Sequence, residues 1–95
     1  MTRYTVVWDS DVESRFINAW LAGDSQTRPL LTEIANWVDM NLAEDPDQKG
    51  LPRHDLSARI LAVPVPNSPA RVSVTYQVVP DDRQVRVTRL VIRGA

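Results

Sequence analysis

Arg71, Arg86, Arg89 and Arg93 stand within the last 25 residues of the chain, and Arg59 stands one predicted strand earlier. Arginine stays protonated in proteins and presents its N–H donors as a planar fork, so a group of arginines suits phosphate. Arg59, Arg71 and either Arg86 or Arg89 converge if each projects from the polar face of neighbouring strands. Arg53 and His54 sit side by side in the segment leading to Arg59, and His54 is the chain's single imidazole. On pKa grounds it is the natural candidate for a base or acid near neutrality. Metal-free phosphodiester cleavage needs these types: a base for the attacking hydroxyl, cations for the charge on phosphorus, and an acid for the leaving oxygen. The plainer reading is that the arginines solvate an exposed sheet face and that His54 is an ordinary loop residue.

The rest of the composition narrows the chemistry. With no cysteine and one histidine, thiolate catalysis, cysteine-ligated zinc and histidine-rich metal sites are excluded, and no metal or cofactor is expected. Net charge is -1, but seven of the eleven Lys/Arg residues lie from Arg53 onward, so the overall charge understates the local field. The 95 residues, 43% hydrophobic and 24% charged, predict one globular domain over 1–95. No apolar run is long enough for a membrane span and the start lacks a signal-peptide layout, so a cytoplasmic protein is expected.

These side chains need a scaffold, and the pattern supplies one. Residues 4–8 (YTVVW) predict a buried strand. Ser10 and Glu13 have capping-box spacing, which starts a helix whose apolar stripe includes Val12, Phe16 and Trp20 and which stops at Gly23 in a left-handed turn. A second helix, capped by Ser25 or Thr27 and carrying Pro29 in its first turn, has Leu31, Ile34, Val38 and Leu42 on one face and ends before Pro46. The segment 45–55 reads as a long loop. Residues 56–63 then alternate as a second strand.

The last two strands, 70–79 and 84–92, are joined by the turn 80–83 and form an antiparallel hairpin. On the first of them Val72, Val74, Tyr76 and Val78 face the core, which makes Tyr76 a packing residue, while Arg71, Ser73, Thr75 and Gln77 face away. On the second, strict alternation places Arg89 with Val85 and Val87. Burying an unpaired guanidinium is costly, so either a bulge between Val87 and Leu90 swaps the faces or Arg89 sits at the rim with a carboxylate. Of the tryptophans, Trp8 and Trp20 read as core, and Trp37 lies at the edge of its stripe, where an exposed indole suits a protein interface.

The sequence resembles the RelE/ParE superfamily of bacterial toxins from type II toxin–antitoxin systems. The resemblance rests on YTVVWD at the start, the Asp45-Pro46 loop, Arg59-Ile60-Leu61 and the stretch 74–93. It implies an α+β fold, β-α-α-β-β-β, with a helix hairpin packed on one face of a curved antiparallel sheet and a basic groove on the other. It implies a cognate antitoxin as partner, with Trp37 as a candidate contact. For RelE-like members it also implies ribosome-dependent cleavage of mRNA without a metal, and for ParE-like members inhibition of DNA gyrase. The family's active-site arginines correspond most closely to Arg71 and Arg93, which with His54 form the candidate catalytic set. Arg53, Arg59, Arg86 and Arg89 are candidate RNA- or phosphate-binding residues.

The sequence departs from the family's nucleases after the last strand. There they commonly carry a catalytic tyrosine or histidine, and this sequence reads Arg93-Gly94-Ala95. Either His54 or Tyr4 does that work, or the protein is non-catalytic and acts by binding gyrase or only its antitoxin. The sequence pI near 5.7 favours the second alternative.

Overall fold

The computed structural model describes residues 3–52 and 58–94. Strand β1 (Thr5–Trp8) leads into helices α1 (Ser10–Ala22) and α2 (Thr27–Leu42). A two-residue strand, β2 (Leu51–Pro52), precedes β3 (Ala58–Val63), β4 (Arg71–Val79) and β5 (Gln84–Arg93). The sheet order is β1-β5-β4-β3-β2. β2 to β5 are antiparallel, whereas β1 runs parallel to β5, with Thr5 opposite Gln84 and Trp8 opposite Val87. The expected α+β layout with both helices on one sheet face is therefore present, and the sheet is mixed rather than purely antiparallel.

Alternation builds the core. Val72, Val74 and Tyr76 of β4 are buried, as are Val85 and Val87 of β5, and they meet Leu31, Ile34, Val38 and Leu42 of α2. Fully burying such a side chain contributes roughly 1.5–3 kcal/mol, so slipping the hairpin by one residue would forfeit several such terms. α1 buries only Val12, with Phe16 and Trp20 packed at the edge of the cluster. Among the described residues no helix is long and apolar enough to cross a membrane.

The bulge on β5 occurs as one of the two expected alternatives. Tyr76 pairs with Val87 and Thr75 pairs with Arg89, which leaves Thr88 as the extra residue. Its hydroxyl donates to the Thr75 carbonyl at 3.2 Å. Before the bulge Val85 and Val87 face the helices; after it Leu90 and Ile92 pack on the core cluster and Arg89 is exposed. The inserted residue thus spares the fold a buried guanidinium.

Three local expectations fail for identifiable reasons. Ser10 is the first residue of α1 and makes no capping bond; Asp9 occupies the cap position, and its carboxylate is taken by Arg86. Gly23 has φ -75° and is extended rather than left-handed. The end of α1 is closed instead by Arg28 of α2, which donates to the carbonyls of Trp20 and Leu21 at 2.9 Å each and stacks 4.6 Å from the Trp20 ring. At the start of α2 neither Ser25 nor Thr27 caps. The Asp24 carboxylate accepts from the Thr27 and Gln26 backbone N–H groups at 2.8 and 3.0 Å, and those bonds, Thr27 first, hold its pKa below the usual value.

Candidate functional site

The face of the sheet turned away from the helices is set by β4. Arg71, Ser73, Thr75 and Gln77 occupy it because their neighbours Val72, Val74 and Tyr76 are drawn into the core. On β5 the bulge brings Arg89, Val91 and Arg93 to the same face, opposite Thr75, Ser73 and Arg71 respectively. Ile60 of β3, opposite Thr75, completes a shallow depression of about 310 Å³ lined by Ile60, Arg71, Ser73, Thr75, Arg89, Val91 and Arg93.

Charge in this depression is one-sided. Arg71 and Arg93 are direct cross-strand partners, an arrangement that repels unless an anion lies between or above the pair. Among the described residues none of Arg71, Arg89 and Arg93 has a carboxylate partner, since the salt bridges there join Arg3 to Glu44 and Arg86 to Asp9. Among the described residues no aspartate, glutamate, histidine or tyrosine lines the depression. The hydroxyls of Ser73 and Thr75 add donors that are neutral and rotatable. The site can therefore hold an anion and stabilise added negative charge, but its described walls carry no group that exchanges a proton near neutrality.

Two candidate arginines are occupied elsewhere. Arg59 pairs with Tyr76 across β3 and β4, which puts it on the helix side rather than beside Arg71. Its Nε donates to the Lys49 carbonyl at 2.6 Å and its Nη2 to the Gly50 carbonyl at 3.2 Å. The expected convergence of Arg59 with Arg71 is thus corrected: Leu61 and Val63 share Arg59's parity and pack inward, carrying it to that side. Arg86 does lie on the open face, near β1, where its guanidinium is bound to Asp9 at 2.9 and 3.0 Å.

Tyr76 is fully buried, and its hydroxyl lies 2.9 Å from the Pro46 carbonyl and 2.8 Å from that of Lys49. It is packing with a polar anchor. Tyr4 precedes Val6 and Trp8 by even steps and packs against the core cluster, away from the arginine depression. Trp37 is half-buried against the same cluster. Arg53 and His54 lie outside the described residues. Four lining residues are not among the site residues expected from the sequence: Ser73 and Thr75, which alternate with the core residues of β4, Val91, two residues beyond Arg89, and Ile60, for which the two apolar faces of β3 give no signal.

No protein-family model matches the sequence, and no curated protein matches it. Solved structures do. The chain is similar to a chain of the RelBE2 toxin–antitoxin complex from Mycobacterium tuberculosis, with a TM-score of 0.65, 15% identity, and coverage of 100% of this chain and 97% of that one. The ParDE system of P. aeruginosa gives a TM-score of 0.61 at 14% identity, covering 93% and 94%. A free-state mutant of the E. coli toxin RelE gives 0.55 at 18% identity, covering 94% and 82%.

Proposed function

From the premise that the chain has the RelE/ParE fold, we propose that it is the toxin of a type II toxin–antitoxin pair. We propose further that its open sheet face grips the phosphate backbone of RNA, as an mRNA endoribonuclease acting with the ribosome. The observation that carries this reading is Arg71 directly opposite Arg93, with Arg89 on the same face and no carboxylate among the described lining residues. Like charges held in register cost stability without an anion, and a phosphodiester is the common biological anion suited to several guanidinium forks.

In this reading Arg71 and Arg93 hold the scissile phosphate and bear the charge that develops when a 2′-hydroxyl attacks phosphorus and the P–O5′ bond breaks. Arg89 holds a neighbouring phosphate. His54 is the candidate for the proton transfers, with Arg53 beside it. The cognate antitoxin is the partner that restrains the activity, and the uncovered edge of Trp37 is a candidate contact with it.

A second reading has an observation of its own. The described walls lack a proton-transfer group, which suits a protein that binds without cutting, either DNA gyrase or only an antitoxin. Adding the purified protein to a cell-free translation reaction separates the two. The RNA reading expects message cut within the translated frame, and no cutting by Arg71→Ala or Arg93→Ala. Intact message together with blocked DNA supercoiling by gyrase would establish the second reading instead.

A further inference from the structure

Trp8 and Trp20 are both tethered to α2 through their indole N–H groups, Trp8 to the Asp39 carboxylate at 2.8 Å and Trp20 to the Thr32 hydroxyl at 3.2 Å. Thr32 and Asp39 are about two turns apart, so both bonds fall along one side of α2. The two tethered rings differ in what lies over them. Trp20 carries the Arg28 guanidinium, 4.6 Å from its centroid, whereas among the described residues no cation lies over Trp8. Beside Trp8 there is instead a shallow cleft of about 220 Å³, lined by Trp8, Glu13, Phe16, Ala35 and Asp39. Trp8 and Phe16 meet edge-to-face, with 5.6 Å between centroids and 60° between planes, and so form an aromatic corner. Glu13 and Asp39 bring two carboxylates to it, and among the described residues neither takes part in a salt bridge.

We propose that this corner seats the guanidinium of an arginine side chain presented by a partner polypeptide. Aromatic walls attract a cation through the ring quadrupole, and the hydrogen bond from the indole to Asp39 polarises the Trp8 ring in the favourable sense. A planar guanidinium stacks on a ring while its N–H fork reaches carboxylate oxygens, and an ammonium lacks both the plane and the fork. With Oδ1 of Asp39 held by Trp8, the fork falls to the second Asp39 oxygen and to Glu13. The chain already shows this chemistry once, where Arg28 lies over Trp20; the Trp8 corner has the ring, adds two carboxylates, and leaves the cation to come from outside. A lone guanidinium in so shallow a cleft buries too little surface to bind tightly by itself, so the seat suits a side chain that its own polypeptide holds in place. Ile17, one turn beyond Glu13 on α1 and 47% exposed, continues the surface with an apolar contact for that polypeptide. The corner lies on the helix side, away from Arg71, Arg89 and Arg93, and does not depend on the RNA reading.

The test titrates the isotope-labelled full chain with an end-blocked glycine-arginine-glycine tripeptide and follows the indole N–H resonances by NMR, which reads even weak binding. The Trp8 signal is assigned by its loss in Trp8→Phe. Expected is a saturable shift of the Trp8 signal, while that of Trp20, whose ring already carries Arg28, stays in place. Binding should weaken about tenfold when citrulline, the uncharged counterpart, replaces arginine. It should weaken roughly threefold when lysine replaces arginine, and by a similar factor in Glu13→Gln, whose circular dichroism should match that of the parent. No shift at Trp8, equal binding of the citrulline tripeptide, or equal shifts at Trp8 and Trp20 would each overturn the seat. Agmatine is the second probe: if it binds and the tripeptide does not, the occupant is a free small molecule and the polypeptide source is wrong. Sedimentation showing self-association in the parent and none in Glu13→Gln would make the occupant a second copy of this chain and overturn the separate partner.

Discussion

Arg59 stands directly opposite Tyr76 across β3 and β4, and both side chains end on the carbonyl oxygen of Lys49. Tyr76 also reaches the carbonyl of Pro46, a fully buried residue, and Arg59 also reaches that of Gly50. Two adjacent strands thus satisfy the carbonyls of the turn 46–50, which enters β2 at the edge of the sheet. Tyr76→Phe keeps the ring and removes the donor, so the buried Pro46 carbonyl loses its side-chain partner. The expected loss is about 1–2 kcal/mol, read as a lower thermal midpoint by roughly 4–8 °C for each kcal/mol.

The same tyrosine gives stability an alkaline limb. Burial, only partly offset by the nearby Arg59 charge, raises the Tyr76 phenol above its ordinary value of 10.0. The folded chain therefore keeps a proton that the unfolded chain releases. That contribution is complete below the ordinary phenol value and is lost as pH rises through the raised one. Denaturant titrations from pH 8 upward should show wild-type stability falling more steeply above about pH 10 than that of Tyr76→Phe. Parallel curves would remove this account.

Gly50 is held at φ +69° where it enters β2, and a Cβ there would sit 2.4 Å from the Ile60 carbonyl oxygen. The contact is with backbone in a paired strand, so it does not yield as a flexible side chain would. Gly50→Ala should cost at least about 1–3 kcal/mol from the left-handed conformation and the collision together. Gly23→Ala is the control. Gly23 has φ -75°, and its nearest contacts begin at 3.2 Å with the Thr27 side chain, so its midpoint should move far less.

Much of this scaffold is legible in the sequence. The β4 alternation has high contrast, with valines and Tyr76 against Arg71, Ser73 and Thr75, so both its core face and its site face could be read. The bulge at Thr88 was one of two readings forced by a single fact, the cost of burying Arg89. β3 was different. Ile60 faces out and Leu61 faces in, both positions are apolar, and so the pattern could not say on which side Arg59 emerges. The capping errors have another cause. Asp9 is tied to Arg86 by a contact 77 residues apart, and Arg28 closes α1 from the neighbouring helix; neither partner is visible to local rules. The parallel pairing of β1 with β5 is likewise a choice of tertiary packing, since a four-residue strand reads the same in either direction.

The Asp9–Arg86 pair makes a prediction with two signs. Its side chains are 24% and 49% exposed, so Asp9→Ala should cost no more than about 1 kcal/mol. It also releases a cation on the open face. If that face binds single-stranded RNA, the variant should bind more tightly, and the dependence of log affinity on log salt should steepen by up to about 0.7. Weaker RNA binding with an intact fold would place the RNA elsewhere.

The pairing of Arg71 with Arg93 predicts that function and stability move in opposite directions. In the free protein the two guanidiniums repel across β4 and β5, so Arg71→Ala should leave stability unchanged or raise it by roughly 0.2–1 kcal/mol. The same change removes a phosphate contact. RNA affinity should fall, and the salt slope should shrink by about 0.7. A residue that merely solvates the sheet would show neither effect. Arg71→Lys discriminates further, because an ammonium keeps the charge and loses the planar fork: the slope should survive while part of the affinity is lost. Denaturant unfolding and filter binding over a salt series, carried out on the same three proteins, measure both quantities. Loss of stability in Arg71→Ala with RNA affinity unchanged would show that the pair is stabilised by something other than an anion.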